Sequence, residues 1–141
     1  MRQVVVIGLG QFGTSLARTL TDMRCEVLAI DMSEHRVAEL RDDVQRVVIG
    51  DARDMEVLQS VIPASVDEAV VSLGESMEAS ILCTLHLSQI GVKRIRTKAI
   101  NDDHALILKA VGAHDLIFPE KETAERTARR IAYPSLLDYF P

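Results

Sequence analysis

The sequence predicts an α/β fold, a Rossmann-like doubly wound parallel sheet of six strands in the order 3-2-1-4-5-6 with helices on both faces. Three observations carry that prediction. Short β-branched runs alternate with helical patterns at close spacing along the 141-residue chain, which calls for right-handed crossovers between parallel strands. The first run opens directly into glycines at positions 8, 10 and 13. The second ends in an acid, Asp31, completing the pattern of a dinucleotide-binding unit.

Each element has its own warrant. Val4, Val5, Val6 and Ile7 are continuously apolar, as expected of a strand covered on both faces. Phe12, Leu16, Leu20 and Met23 then recur at steps of three and four, placing one stripe of a helix against the sheet. Residues 26–31 read as the second strand, Ser33 caps a helix running to about Leu40, and 46–50 form the third strand. Asp54 caps a short helix that stops before Pro63, and 69–73 supply the fourth strand. A longer helix spans 76–90, with Gly91 where its C-terminus needs a left-handed residue. Residues 94–98 form strand five, 102–111 a helix closed by Gly112, and 115–118 strand six. Glu120 to Ala132 make the last full helix, where Glu122/Arg126 and Glu125/Arg129 stand four apart with the acid first, on a solvated face.

The bulk numbers narrow the function classes. The length suits one domain. A net charge of -5 and a pI near 5.3, with no long basic run, argue against a nucleic-acid or anionic-membrane binder. Cys25 and Cys83 lack metal or redox spacing and read as reduced core thiols of a cytosolic protein. The N-terminal apolar run belongs to the fold and has no cleavage site, so no signal peptide is expected. No stretch approaches the roughly 20 apolar residues of a spanning helix, and a membrane role would have to come through a partner. The segment from Tyr133 to Pro141 holds both tyrosines and one of three phenylalanines. It either folds back on its own domain or covers a partner subunit, and its abrupt end suggests part of a longer protein.

The glycines each have a mechanical task. Gly8 permits the tight turn out of the strand, Gly10 admits a pyrophosphate to the backbone, and Gly13 lets helix and sheet approach. Phosphates would rest on the free N–H groups near Gln11 and Phe12, where the helix dipole favours negative charge. Asp31 stands 18 residues past Gly13, close to the spacing at which a carboxylate reaches a ribose diol. Met32 follows it. A carboxylate there repels a 2′-phosphate, so NAD(H) or an adenine nucleotide (ADP or ATP) is favoured over NADP, with Arg36 the one nearby residue to blunt this. Asp51 and Ala52, after strand three, would neighbour the adenine, although Asp51 could instead only order the turn before Asp54. Leu73 and Gly74 end strand four and Lys98 ends strand five, on the far side of the crevice. Lys98 either meets phosphate or pairs with an acid. Glu75 and Glu78 disfavour a polyphosphate there unless they face solvent or share a cation with it.

Signs of chemistry are missing. His35, His86, His104 and His114 show no ligand or catalytic spacing and read as surface or packing residues. Neither a G-x-S-x-G nor a Walker A sequence occurs. No enzyme is expected. The alternative is the cofactor half of an NAD-dependent oxidoreductase whose catalytic half lies elsewhere, and a third reading is a nucleotide sensor that acts alone.

Taken in order, Ile7 to Gly13, Asp31, Gly50 to Ala52, Lys98 to Asn101, Gly112 with Ala113, Pro119 to Lys121, and Leu136 to Tyr139 resemble the N-terminal domain of the RCK, or KTN, family. These are TrkA- and KtrA-type regulators of potassium uptake and cytosolic modules of potassium channels. The resemblance implies a nucleotide-binding domain at 1–132, with 133–141 opening a crossover and dimerisation segment before a C-terminal lobe. It implies homodimers that assemble into an octameric ring, cytoplasmic and held at the inner face of the cell membrane by a potassium transporter subunit. By position, Gly8, Gly10 and Gly13 would hold phosphates, Asp31 the ribose, Asp51 and Ala52 the adenine, and Lys98 the phosphate side. Glu120 matches an acidic position near a terminal phosphate and a divalent cation. ATP-responsive relatives often carry arginine where this chain has Gln11, so discrimination of ATP over ADP weakens and NAD(H) or ADP rises.

Overall fold

In the computed structural model, which describes residues 1–137, the apolar runs become six parallel strands in the order β3-β2-β1-β4-β5-β6. The strands are β1 (Gln3–Ile7), β2 (Glu26–Asp31), β3 (Arg46–Ile49), β4 (Glu68–Val71), β5 (Ile95–Lys98) and β6 (Asp115–Ile117). Between them lie α1 (Gln11–Asp22), α2 (Glu34–Leu40), α3 (Met55–Val61), α4 (Met77–Ile90) and α5 (Asp102–Ala110), followed by α6 (Pro119–Ala132) and α7 (Pro134–Leu137).

Alternation along each strand divides the core in two. Val5, Ile7, Leu28, Ile30, Ala69, Val71 and Ile95 pack with Leu58, Cys83 and Leu87 of α3 and α4. Val4, Val6, Val27, Ala29 and Val70 pack with Ala17 of α1 and Leu40 of α2. A smaller cluster of Ala99, Ala105, Leu108 and Ala113 seats α5. Burial pushes the Cys83 thiol up to about 12, so it is protonated and inert. Cys25 is half-buried. No helix among the described residues is long and apolar enough to cross a membrane.

The differences from the sequence reading are local. Met23 does not join the α1 stripe: the helix ends at Asp22, Arg24 takes φ +67°, and Met23 is left 70% exposed at the turn. The third strand stops at Ile49, before Gly50. The fourth begins at Glu68, a residue of poor strand propensity, because Val4 pairs with it and Arg2 and Arg96 bind its carboxylate at 2.7 and 2.9 Å. It ends at Val71, and the chain then turns through Leu73 to Ser76, whose N–H donates to the Leu73 carbonyl.

In α6 the Glu122/Arg126 and Glu125/Arg129 spacings yield no ion pair among the described residues; Glu122 instead accepts the Phe118 N–H at 2.8 Å and caps the helix. No residue of α6 is buried. The short α7 follows Tyr133 directly. The rest of the tail, 138–141, lies outside the described residues.

Four of the helices open on a side-chain cap. Ser33, Asp54, Ser76 and Asn101 each accept a backbone N–H in the first turn. Ser76→Ala is expected to cost about 1 kcal/mol, read as a lower urea midpoint at unchanged m-value.

Candidate functional site

A cleft of about 690 Å³ opens at the carboxyl ends of the strands, where β1 sits between its successor β2 and its crossover neighbour β4. This is the switch point at which doubly wound sheets hold ligands. Its volume lies within the range of small-molecule sites. Gly8, Gly10, Gln11, Phe12, Asp31, Met32, Asp51, Ala52, Leu73, Gly74 and Lys98 all line it.

The glycine loop forms the floor. Gly8 takes φ +94°, and a Cβ there would lie 2.3 Å from the Ser72 carbonyl oxygen, so this turn is closed to any other residue. Gly13 does not line the cleft. It is buried in α1, where a Cβ would come 1.8 Å from the Gly8 carbonyl oxygen; the third glycine packs the helix onto the turn itself rather than only onto the sheet. Gly10 differs from both. A Cβ built there meets nothing within 4 Å.

Gly10 is also the N-cap of α1, and it supplies no side chain to the opening N–H groups. No acidic residue lies in that first turn. The result is uncapped backbone donors, at the positive end of a helix dipole, facing an open cleft.

Asp31 ends β2 with its side chain only 9% exposed. Its Oδ2 accepts the Leu9 N–H at 2.7 Å and its Oδ1 accepts the Ser33 N–H at 2.8 Å. The carboxylate therefore fastens the glycine loop to the β2 end as well as facing the cleft, with a second lone pair left on each oxygen. Arg36 lines the same corner, its Nη1 3.8 Å from Asp31 Oδ2.

Asp51 is engaged as well. Arg53 approaches it as a fork, Nε at 3.1 Å from Oδ1 and Nη2 at 2.8 Å from Oδ2, while the Arg53 backbone N–H donates to Oδ1 at 2.9 Å. These bonds hold the Asp51 carboxyl below the usual range, with the guanidinium contact the largest cause. Asp51 thus orders the turn into α3, with Ala52 buried beneath it. Sequence reasoning passed over Arg53, although an arginine two residues after a turn-forming aspartate was the available signal.

On the opposite wall, Lys98 makes no ion pair with the described residues and lies across Gly74, whose missing Cβ would stand 3.1 Å from Nζ. Of its two possible roles, pairing with an acidic neighbour is not observed within those residues. Glu75 and Glu78 are both exposed, but Glu75 also lines the cleft, so its charge still weighs against a crowded polyphosphate there. Glu120 is exposed in the first turn of α6 and is not brought to the cleft. Among the described residues no group of three His, Cys, Asp or Glu could hold a metal ion.

This wall is held by a residue read from the sequence only as a surface or packing histidine. His104 is fully buried. The Ile100 N–H donates to Nδ1 at 3.0 Å, so Nε2 carries the ring proton and donates to Ser80 Oγ at 2.7 Å. Ser80 donates in turn to the Met77 carbonyl. Both partners are neutral, and burial lowers the His104 pKa. The ring ties the segment just past Lys98 to the first turns of α4, whose Ser76 and Ala79 line the cleft.

The TrkA-N domain family matches residues 4–119. Ktr system potassium uptake protein C of Bacillus subtilis (strain 168) is 39% identical over 138 residues, covering 98% of this chain and 62% of the relative. Ktr system potassium uptake protein A of Vibrio alginolyticus is 32% identical over 140 residues, covering 99% and 64%. The chain therefore spans a little under two thirds of the length of these relatives.

Among solved structures, the TrkA-N domain of the inner membrane protein ybaL from Escherichia coli superposes with a TM-score of 0.78 at 23% identity, covering 91% of this chain and 94% of that one. The GsuK channel bound to NAD does so at 0.72 and 16%, covering 82% and 21%. A Kef C-terminal domain of Shewanella denitrificans in AMP-bound form gives 0.74 and 18%, covering 87% and 75%. Below 25% identity these likenesses speak for the fold, while the family match extends over most of the chain. With strand order, glycine turn and strand-end acids all in place, the chain belongs to the TrkA-N domain family.

Proposed function

We propose that this chain is the nucleotide-binding regulatory domain of a potassium uptake system of the Ktr or Trk type. It acts by binding rather than by catalysis. The observation that carries the reading is the uncapped N-terminus of α1 at Gly10, open to a cleft that also presents Asp31, Asp51 and Lys98. The potassium uptake proteins A and C, and the NAD- and AMP-bound chains of like fold, support it.

In this reading NAD(H) or ADP lays its phosphates on the α1 N–H groups and Lys98, its ribose hydroxyls on Asp31, and its base against Ala52 and Asp51. Gln11 brings no charge to a terminal phosphate, and Asp31 disfavours NADP. The ligand is a wedge between the β1 side and the β4–β5 side of the crevice. Segment 133–141 starts the crossover by which two copies pair, and the pairs assemble into an octameric ring on the cytoplasmic face of a membrane transporter. Glu120 serves a divalent cation only in that assembly. A ring is needed on energetic grounds: one ligand typically supplies about 1 to 3 kcal/mol of coupling, whereas reversing a gate from 1:99 to 99:1 takes about 5.5.

Asp31→Ala is a poor test, because it also frees the Leu9 and Ser33 N–H groups. Gly10→Asp is better. The new side chain has open space and an N-cap backbone, φ -70° and ψ -166°, so it should cap α1 and raise the stability of the free protein by about 0.5–1 kcal/mol. Its charge then occupies the phosphate position. Wild type with ADP or NAD at 100 times Kd gains about 2.7 kcal/mol in thermal unfolding; Gly10→Asp should gain none. An equal ligand-induced shift in both proteins would refute the phosphate assignment.

A further inference from the structure

We infer that Arg53 is a built-in competitor for the base end of the cleft, a latch on the Asp51 carboxylate that weakens the reading of an adenine there until it is released; the inference rests on the cleft being an adenine-nucleotide site. A carboxylate has about four lone-pair positions. In Asp51 three N–H groups of Arg53 cover both oxygens: the backbone N–H on Oδ1, Nη2 on Oδ2 at 2.8 Å, and Nε, whose single hydrogen is shared between Oδ1 at 3.1 Å and Oδ2 at 3.3 Å. The adenine amino group is a donor and needs one of these positions. With the latch shut, an amino group must compete with three N–H donors for this carboxylate, beside a guanidinium that presents hydrogens of its own.

The latch can open at modest cost. Asp51 and Arg53 side chains are 34% and 48% exposed, so water and salt weaken their attraction. The turn has a second anchor besides the pair: Ala52 seats it in the core, buried at 6% exposure. The backbone N–H of Arg53 remains on Oδ1 and keeps the turn. Releasing the side chain then removes two donors, Nη2 from Oδ2 and the shared Nε, which leaves Oδ2 open to an amino group of adenine. It gives nothing to a base with a carbonyl at that place.

Calorimetric titration of the wild-type chain and of Arg53→Ala with ADP and with IDP, at one fixed ionic strength, tests this. The variant should bind ADP about 2- to 5-fold tighter, the free-energy range of an exposed ion pair, while IDP, whose carbonyl loses the guanidinium donors, binds no tighter, so that the ADP-to-IDP preference rises by at least the same factor. Arg53→Lys, which cannot form the fork, should fall between. If Arg53→Ala binds ADP no better than wild type, or gains equally for both nucleotides, the latch is refuted and the cleft assignment stands. A wild-type chain that binds neither nucleotide overturns the assignment and the latch together.

Discussion

Gly13→Ala is expected to cost about 4 kcal/mol or more, enough to unfold much of the population of a domain whose total stability is of order 5–15 kcal/mol. Helix propensity alone predicts the opposite sign, a gain of about 1 kcal/mol for alanine in mid-helix. The contact decides. The new methyl would stand 1.8 Å from the Gly8 carbonyl oxygen, a backbone atom that has no rotamer by which to leave. To relieve the overlap α1 must lift from the turn, which separates Phe12, Leu16 and Ala17 from Val4 and Val6.

Gly8 cannot yield either, because its own backbone is held against Ser72 and its N–H donates to the Ile30 carbonyl. Gly91→Ala is the calibrating control: its φ is +93° but its Cβ would meet nothing within 4 Å, so it should lose only the left-handed penalty of about 1–2 kcal/mol. Urea unfolding of the two variants separates close approach from backbone strain. Gly13→Ala no less stable than wild type would show that helix and turn do not meet as described.

His104→Ala should cost about 2–5 kcal/mol at neutral pH. It empties a fully buried site and strands the Ile100 N–H, which donates to Nδ1. The pH dependence is more diagnostic. Burial lowers the His104 pKa in the folded protein, so the unfolded chain, with its histidine near 6.5, takes up the proton first. The His104 contribution is therefore intact above about pH 6.5 and declines as pH falls through that value toward the depressed folded one. Protonation would also place a hydrogen on Nδ1, facing the Ile100 N–H, and break the tie between α4 and the segment after Lys98. Wild type should lose stability between pH 7 and 5 more steeply than His104→Ala. Parallel profiles would mean that the ring is not held neutral.

Much of this fold was legible in the sequence because its signals are local and redundant. Val4 to Ile7 is apolar at every position, as only a doubly covered strand requires, and Gly91 and Gly112 mark the ends of helical periodicity with φ of +93° and +125°. Boundaries were less legible where a partner overrode propensity. Glu68 is in a strand because Arg2, just before β1, and Arg96 of β5 meet it. Met23 fits the helical stripe in spacing, but the turn at Arg24 leaves it outside.

For the candidate site, the order of strands and many of the lining positions were contained in the one-dimensional pattern, since a doubly wound topology sends the ends of consecutive strands to one rim; Arg53, Ser72 and Ala79 were not, and Gly13 lies outside the lining. What only the tertiary structure decided is how those groups spend their hydrogen bonds. Asp31 is divided between a loop and a cleft, Asp51 is closed by Arg53, and His104 joins two segments 24 residues apart through Ser80. Periodicity records which face a side chain lies on. Hydrogen-bond partners depend on distances of about 3 Å between atoms remote in the chain, and those exist only once the sheet has brought its strand ends together.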